Sequence, residues 1–155
     1  MAMKPYPHTY TASAEGSGIG FVAVTTEQLP PLDTAPPPEF DGPEGVWSPE
    51  TLLCASVVDC FILTFRGVAR AARFEWLELE CRVDGTLDRF EHVSQFTKFT
   101  TYARNFIPMG GDEVKARQLL ERAEQGCLVA NSLRATRELE IEVVVTARPA
   151  EHATM

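Results

Sequence analysis

Cysteine is the residue type in this chain with the strongest claim to chemistry. The sequence holds four, Cys54, Cys60, Cys81 and Cys127. A deprotonated thiol is a nucleophile and can be oxidised to a sulfenic acid or a disulfide. A buried free cysteine is also an ordinary small apolar core residue, and this interpretation suits Cys54 and Cys81. Cys60 lies within a long apolar segment and Cys127 on a second apolar stripe. Whether these two thiols are reactive or are core residues depends on the sequence around them.

Patterns for several other chemistries are missing from the sequence. The glycines of residues 16–20 lie between two predicted strands and open no helix, so they do not form a phosphate-binding loop. No Cys-x-x-Cys pair occurs, and His8, His92 and His152 lie in or near tails and turns, so no zinc site is expected. No Gly-x-Ser-x-Gly turn presents a serine nucleophile. Cysteine chemistry is what remains.

The charge distribution argues against two classes of partner. The 155 residues include 22 acidic and 14 basic side chains, a net charge of −8, and Lys4 is the single basic residue among the first 50. An acidic chain without a basic stripe is unsuited to nucleic acid or to an anionic membrane surface. The longest apolar run, residues 52–65, contains Asp59 and is shorter than a membrane span, and no signal-peptide segment is visible. We therefore expect a soluble, cytoplasmic protein with free thiols.

The helix that carries Cys60 is the clearest element in the sequence. Ser48 suits the N-cap, Pro49 the first helical position, and Glu50 the positively polarised first turn. We expect the helix to run from Pro49 to about Arg70. Its apolar residues lie on nearly every side, which is typical of a helix that is buried on most sides. A chain of this size would struggle to enclose such a helix, so the pattern indicates a partner subunit.

The other segments predict an α+β fold with an antiparallel sheet and two main helices, in a single domain over residues 1–155. Asp112 is expected to cap the second helix, which ends at Cys127. The proline-rich residues 27–47 predict an extended loop without a central strand or a helix, and residues 147–155 a frayed tail. The predicted strands are residues 10–14, 19–25, 77 to about 90, 95–106 and 138–145, with a helical turn at 129–133.

Two motifs resemble those of the OsmC/Ohr family, the osmotically inducible protein C and organic hydroperoxide resistance proteins. Residues 48–61, which begin Ser-Pro-Glu and end Cys-Phe, are similar to the first family signature. Residues 123–133, Ala-Glu-Gln-Gly-Cys-Leu-Val-Ala-Asn-Ser-Leu, are similar to the second family signature. Their residue pattern is closer to that of the OsmC-like branch. The order of predicted elements also fits the family over roughly residues 10–146.

The resemblance implies a peroxidase that reduces organic hydroperoxides with thiols. Cys60 matches the peroxidatic position, which becomes a sulfenic acid, and Cys127 matches the resolving position, which closes a Cys60–Cys127 disulfide. A dithiol, such as the lipoyl group of a protein, would recycle the enzyme, and neither a metal nor a bound cofactor is implied. The fold implied is an intertwined homodimer in which the long cysteine helix is buried.

Glu50 matches the acid of the first family motif. A glutamate in the first turn of a helix also stabilises that helix through its dipole, by about 0.3–1 kcal/mol. Ten helical residues place Glu50 roughly 15 Å from Cys60 along the axis. If both serve one site, Glu50 therefore comes from the neighbouring subunit.

One departure from the family keeps other functions open. Peroxidatic members carry an arginine in the front strands or loop, whereas no arginine here precedes Arg66. Arg66, Arg104 and Arg134 are the candidates to replace it. The alternatives are a non-catalytic OsmC-like protein that binds an apolar small molecule in the dimer pocket, and a structural homodimer with incidental thiols.

Overall fold

The computed structural model describes residues 3–147, and the chain divides into two compact units between Leu52 and Leu53, inside the long helix α1 (Pro49–Ala71). Three helices and two sheets confirm the α+β class within the described residues. The predicted tail at residues 147–155 lies outside the described residues, except for residue 147. The organisation as a single domain stays a prediction.

The first unit contains a small antiparallel sheet with its second strand in the centre. Its strands are β1 (Ser13–Glu15), β2 (Val22–Thr25) and β3 (Leu32–Thr34). β1 begins three residues later than predicted and ends one residue later, and β2 begins three residues later because the turn before it is longer than predicted. The Ser17 hydroxyl donates to the Ile19 carbonyl at 2.9 Å, and Gly20 has a φ of +86°, so these residues leave the strand ladder.

The prediction of an extended loop for residues 27–47 was wrong in part. β3 lies within it, at the edge of the sheet, where the missing N–H of a neighbouring proline costs no ladder hydrogen bond. Pro38–Phe40 form one turn of 3-10 helix, contrary to the expectation of no helix. The Ala35 N–H donates to the Trp47 carbonyl at 3.0 Å and ties the end of the segment back to its middle.

The start of α1 is confirmed by its capping hydrogen bonds. The Thr51 N–H donates to Ser48 Oγ at 3.2 Å, and the Ser48 N–H donates to Thr51 Oγ1 at 3.0 Å. The pair satisfies a backbone donor that the first helical turn would otherwise leave free. The helix ends at Ala71, one residue beyond the predicted end.

The second unit is built on one three-stranded sheet with the order β4-β5-β6. Its elements after α1 are β4 (Glu78–Phe90), β5 (Val93–Pro108), α2 (Glu113–Gly126), α3 (Leu128–Asn131) and β6 (Thr136–Thr146). β4 and β5 form an antiparallel hairpin through Glu91 and His92, whose φ values of +48° and +68° are typical of a tight two-residue turn. β6 pairs with β5 in parallel, so the expectation of a wholly antiparallel sheet was wrong. The two helices between β5 and β6 supply the crossover that a parallel pair needs.

The second helix confirms the predicted cap and corrects the predicted end. The Lys115 N–H donates to Asp112 Oδ1 at 2.9 Å, as a helix N-cap requires. α2 ends at Gly126, and Cys127 has an extended backbone with φ −66° and ψ 107°. Cys127 is therefore the junction between α2 and the short helix α3.

The core of the second unit lies where α1 and α2 meet one face of the sheet. Leu79 of β4 and Ala103 of β5 belong to this core. The helices contribute one buried stripe each, Val57, Phe61, Phe65 and Ala69 from α1 and Ala116, Leu119, Leu120 and Ala123 from α2. Both stripes have the spacing of one helical face. The α2 stripe lies at the predicted positions, whereas α1, which was expected to be buried on most sides, is buried along one face in the single chain.

The rest of α1 is largely uncovered in the single chain. Only 22% of its most apolar 18 residues is buried, and the Leu63 side chain is 52% exposed. With 23 residues and a mean hydropathy of 1.8 over that stretch, the helix is long and apolar enough to span a membrane by length and composition, although the 14-residue run had suggested otherwise. Its buried stripe nevertheless belongs to the protein core, and core helices of soluble proteins share this composition.

Candidate active site

α1 presents Cys60 beside its buried stripe, between the buried residues Val57 and Phe61. The Cys60 side chain is half-buried. Thr64 lies one turn further along the helix. Its hydroxyl donates to the Cys60 carbonyl oxygen at 2.7 Å and is 3.9 Å from Cys60 Sγ. One hydroxyl proton is thus available either to the backbone or to the sulfur.

The junction between α2 and α3 brings Cys127 to the same place. The Cys127 side chain is fully buried, and its thiol donates to the Val57 carbonyl on α1 at 3.9 Å. A Cβ on Gly126 would lie 3.4 Å from Thr64 Cγ2, so the end of α2 comes close to the turn of α1 that follows Cys60. The structure therefore brings Cys60 and Cys127 together, although 67 residues separate them in the sequence.

The two thiols differ in acidity. Burial raises the pKa of the Cys60 thiol, but the hydrogen bonds to its sulfur outweigh burial, and the pKa falls below its ordinary value. Burial raises the pKa of the Cys127 thiol to about 11, and the neighbouring Cys60 sulfur adds to the rise. The donors to Cys60 are the backbone N–H of Val129, the Cys127 thiol, the Thr64 hydroxyl and the backbone N–H of Leu128.

This arrangement suits a two-step thiol reaction. The half-buried sulfur is the one that deprotonates more easily and that a reagent can reach. The buried sulfur, whose pKa is raised to about 11, stays protonated at neutral pH. A thiolate at Cys60 could attack an electrophile, and Cys127 could then attack the modified Cys60 sulfur.

The surroundings of the two sulfurs are apolar. Cys127 belongs to a buried cluster with Val57, Phe99 and Ala130. The partly buried residues packed against this cluster are Leu53, Cys54, Cys60, Val83, Phe96, Val129, Leu133 and Ala135. An alkyl or aromatic group would pack favourably against these apolar side chains beside Cys60.

The other two cysteines resemble ordinary core thiols. Burial raises the pKa of Cys54, which packs closely against Gly85 of β4. Burial raises the pKa of Cys81 to about 12. Neither thiol is more acidic than a free cysteine, so neither is set up as a nucleophile.

Glu50 lies in the first turn of α1, within the first unit. Its Oε2 atom is buried, and no hydrogen-bond partner for it exists among the described residues. A buried carboxylate oxygen without a partner is costly, so this atom requires an explanation. Ten helical positions along α1 separate Glu50 from Cys60, so the single helix does not bring the two side chains together.

Two polar residues that lie near the cysteines were not indicated by the sequence. Thr64 is found at the position four residues after Cys60, a spacing that places it on the same helical face. Arg137, near the start of β6, forms an ion pair with Glu124 of α2 at 2.7 Å. Among the arginines proposed to replace the missing family arginine, Arg104 pairs with Glu142 on the sheet at 3.2 Å. Within residues 3–147, no group of three His, Cys, Asp or Glu side chains is placed to hold a metal ion.

Comparison with solved structures shows the same fold in several bacterial proteins. An OsmC-like protein of unknown function from Vibrio cholerae has a TM-score of 0.76 at 15% identity, and the match covers 89% of this chain and 100% of that one. An organic hydroperoxide resistance protein OsmC from Legionella pneumophila has a TM-score of 0.70 at 26% identity, covering 91% and 100%. The organic hydroperoxide resistance protein OhrB of Bacillus subtilis has a TM-score of 0.65 at 19% identity, covering 88% and 98%.

Comparison with curated proteins gives no match. The family model described as OsmC-like protein matches residues 42–142, which is more than half of the chain and includes Glu50, Cys60 and Cys127. The fold comparisons agree with this match over nearly the whole length. The chain therefore belongs to the family of OsmC-like proteins.

Proposed function

We propose that this protein is a thiol-dependent peroxidase that reduces organic hydroperoxides to alcohols. The observation that carries the proposal is the pair formed by Cys60, whose pKa is lowered, and the buried, protonated Cys127 beside it. Membership of a family that includes organic hydroperoxide resistance proteins supports the same activity.

In the proposed reaction, the Cys60 thiolate attacks the terminal oxygen of the hydroperoxide and breaks the O–O bond. The alkoxide leaves and takes up a proton to become the alcohol, and Cys60 becomes a sulfenic acid. Cys127 then attacks the sulfenic sulfur, and water leaves as the disulfide forms. An external dithiol, such as a lipoyl group, returns both cysteines to thiols by exchange. Each turnover consumes one peroxide and one dithiol.

The apolar cluster around the cysteines supports an organic substrate. Residues such as Val129, Phe96 and Leu133 offer no hydrogen bonds from their side chains and would favour an alkyl group over a second hydroxyl. We therefore expect alkyl and aromatic hydroperoxides to react faster than hydrogen peroxide.

Thiolate stabilisation in this chain does not depend on an arginine from the front strands, since none precedes Arg66. Thr64, Leu128, Val129 and Cys127 supply hydrogen bonds to Cys60 instead. We propose that these donors take over the role of the family arginine.

The proposed enzyme is a soluble, cytoplasmic homodimer. The uncovered apolar face of α1 supports a second copy as its cover, since exposing so large an apolar surface to water is unfavourable. In such a dimer, Glu50 of the neighbouring subunit would reach the Cys60 site, and its buried Oε2 would find a partner there. This assignment makes Glu50 the third residue of the catalytic site.

A second candidate function is the binding of an apolar small molecule without catalysis. The absence of arginine from residues 1–65 favours it, because peroxidatic members of the family carry one there. Such a protein would keep the apolar cluster around Cys60 and leave its thiols unchanged in the presence of a peroxide.

One experiment separates the two functions. The reduced protein is treated with one equivalent of cumene hydroperoxide, and intact and peptide masses are measured over minutes. The peroxidase should lose two hydrogens and contain a Cys60–Cys127 cross-link, and Cys60→Ser should abolish peroxide consumption. Cys54→Ser and Cys81→Ser are the matched controls and should behave as the parent protein. An unchanged thiol count after minutes would contradict the peroxidase and favour the binding protein.

A further inference from the structure

Arg137 makes a set of hydrogen bonds that enclose the turn holding Cys127. Its Nε donates to Glu124 Oε1 at 2.7 Å, and its Nη1 donates to Asn131 Oδ1 at 2.7 Å. Its Nη2 donates to the backbone carbonyl of Glu124. Glu124 lies three residues before Cys127 and Asn131 four residues after it, so one guanidinium group holds both sides of the turn.

The same turn is tied to itself by further bonds. The Asn131 side-chain amide donates to the Gln125 carbonyl at 3.0 Å, and the Asn131 N–H donates to the Cys127 carbonyl at 2.9 Å. Arg137 belongs to β6, so the network fixes the turn to the sheet of the second unit.

The ion pair at the centre of this network is less exposed than the other ion pairs of the described residues. The side chains of Arg137 and Glu124 are 23% and 16% exposed, whereas those of Arg104 and Glu142 are 49% and 63% exposed. A charge-assisted contact that is partly shielded from water holds its geometry better than an exposed pair. The fork of an arginine also suits two acceptors on different elements, which a lysine cannot contact in the same way.

We propose that Arg137 is a positioning residue that holds the Cys127 turn against the Cys60 sulfur. This inference rests on the proposed peroxidase function, for which Cys127 must reach Cys60. The turn also carries the N–H groups of Leu128 and Val129, which lower the pKa of Cys60. The hydrogen bonds of Arg137 would therefore support both thiolate formation and disulfide closure. Loosening it should weaken thiolate stabilisation and slow disulfide closure together.

The test uses diamide, a general thiol oxidant, in place of a peroxide. Diamide accepts two electrons and the two thiol protons as it becomes the hydrazine, while the Cys60 and Cys127 sulfurs join in one disulfide. We expect Arg137→Gln to slow this closure by about tenfold or more, because a small misplacement of reacting groups has effects of this size. Peptide mass spectrometry after acid quenching follows the cross-link.

A second readout separates positioning from a general loss of stability. In a Cys127→Ser background, the rate at which iodoacetamide alkylates Cys60 is measured from pH 5 to 10 with and without Arg137→Gln. We expect the midpoint of this profile to move to higher pH when Arg137 is replaced. Both proteins are measured without urea, so that both are folded. A residue that only stabilised the fold would leave the midpoint in place.

Matched variants decide the outcome if Arg137→Gln fails to fold. Glu124→Gln keeps the size of the side chain that Arg137 contacts and should also slow disulfide closure. In the double variant with Arg137→Lys, closure should be slowed by less than the two single effects combined, because both substitutions break the same contact. Arg104→Gln, which breaks an exposed pair on the sheet, is the control and should close at the parental rate. Additive effects of Glu124→Gln and Arg137→Lys, or parental closure in both, would overturn the proposal.

The design distinguishes this proposal from the proposed function. Disulfide closure by diamide needs no peroxidase activity, so a protein that ignores cumene hydroperoxide can still show the effect of Arg137. If the Arg137→Gln variant reduces cumene hydroperoxide at the parental rate, the positioning role of Arg137 is contradicted and the proposed peroxidase function stands.

Discussion

Cys60 and Cys127 share one cluster yet differ in acidity because of the atoms around each sulfur. The pKa of Cys60 lies below its ordinary value because hydrogen bonds to its sulfur, that of the Val129 N–H above all, outweigh the effect of burial. Cys127 is fully buried and donates instead, which keeps its proton in place. The attacking and resolving roles proposed for them therefore follow from local hydrogen bonding.

Replacing Thr64 with valine should raise the pKa of Cys60. The hydroxyl that donates to the sulfur is lost while the shape of the side chain is kept. Because the thiolate is the reactive form, we expect about three- to tenfold slower reaction with cumene hydroperoxide at pH 7. The pH profile of this rate should move to higher pH. Thr64→Ser retains the hydroxyl and should react as the parent does; an equal loss in both variants would contradict the role of the hydroxyl.

The two steps should depend on pH in different ranges. The attack step should reach its plateau above the lowered pKa of Cys60, whereas closure needs the Cys127 proton to leave and should accelerate with pH toward the pKa of about 11. Stopped-flow mixing with acid quench and mass analysis would resolve the steps. In Cys127→Ser, we expect the sulfenic acid of Cys60 to accumulate and to be trapped by dimedone. A closure rate that is flat between pH 6 and 9 would argue against this assignment.

The sequence identified the cysteines but not the residues that position them. Cys60 and Cys127 stand in two motifs of fixed spacing, which a resemblance can detect. Thr64 lies four residues after Cys60 on the same helix, where a threonine is not distinctive, and Arg137 acts through contacts with other elements, such as that with Glu124, 13 residues away. No local pattern marks such contacts.

Helix ends in this chain were predictable because their signals are local. Ser48 and Asp112 cap α1 and α2 with side-chain hydrogen bonds to residues three positions later. The direction of β6 was not predictable, since nothing within residues 136–146 encodes whether β5 runs beside it in parallel. The start of β2 was also missed, because the turn before it is set by one hydroxyl and one glycine.

Gly85 of β4 lies close to Cys54 of α1. A Cβ there would lie 2.8 Å from Cys54 Sγ and 2.9 Å from Phe99 Cε1. Gly85→Ala should therefore destabilise the protein by about 1–3 kcal/mol through overpacking. Urea unfolding measures the effect, and Cys54→Ala should recover part of the loss because it removes one of the atoms in the way.

Gly67 supplies the matched control for this change. It lies within α1, and a Cβ there would meet no atom of the described residues within 4 Å. Gly67→Ala should stabilise the helix by about 0.5–1 kcal/mol, opposite in sign to Gly85→Ala. Equal effects of the two substitutions would show that close packing at Gly85 is not the cause.

The uncovered face of α1 bears on the state of the whole molecule in solution. A second copy of the chain would bury this face and add Glu50 to the site. Leu63→Glu places a charge on that face. We expect sedimentation equilibrium to give the mass of two 17.2 kDa chains for the parent and of one chain for the variant, with a loss of peroxidase activity.

Met109 allows a control for the charge itself. Its side chain is 69% exposed and lies in the connection between β5 and α2. Met109→Glu should remain dimeric and active. A parent protein that sediments as a single chain at micromolar concentration would contradict the homodimer.

The 67 positions between Cys60 and Cys127 along the chain have a consequence for biosynthesis. The ribosome adds about 5–20 residues per second, so Cys60 is made several seconds before Cys127, Leu128 and Val129. During that interval the nascent Cys60 lacks the hydrogen-bond donors of the Cys127 turn that lower its pKa. Its thiol should therefore stay less reactive toward oxidants until that turn has been made and has folded against α1.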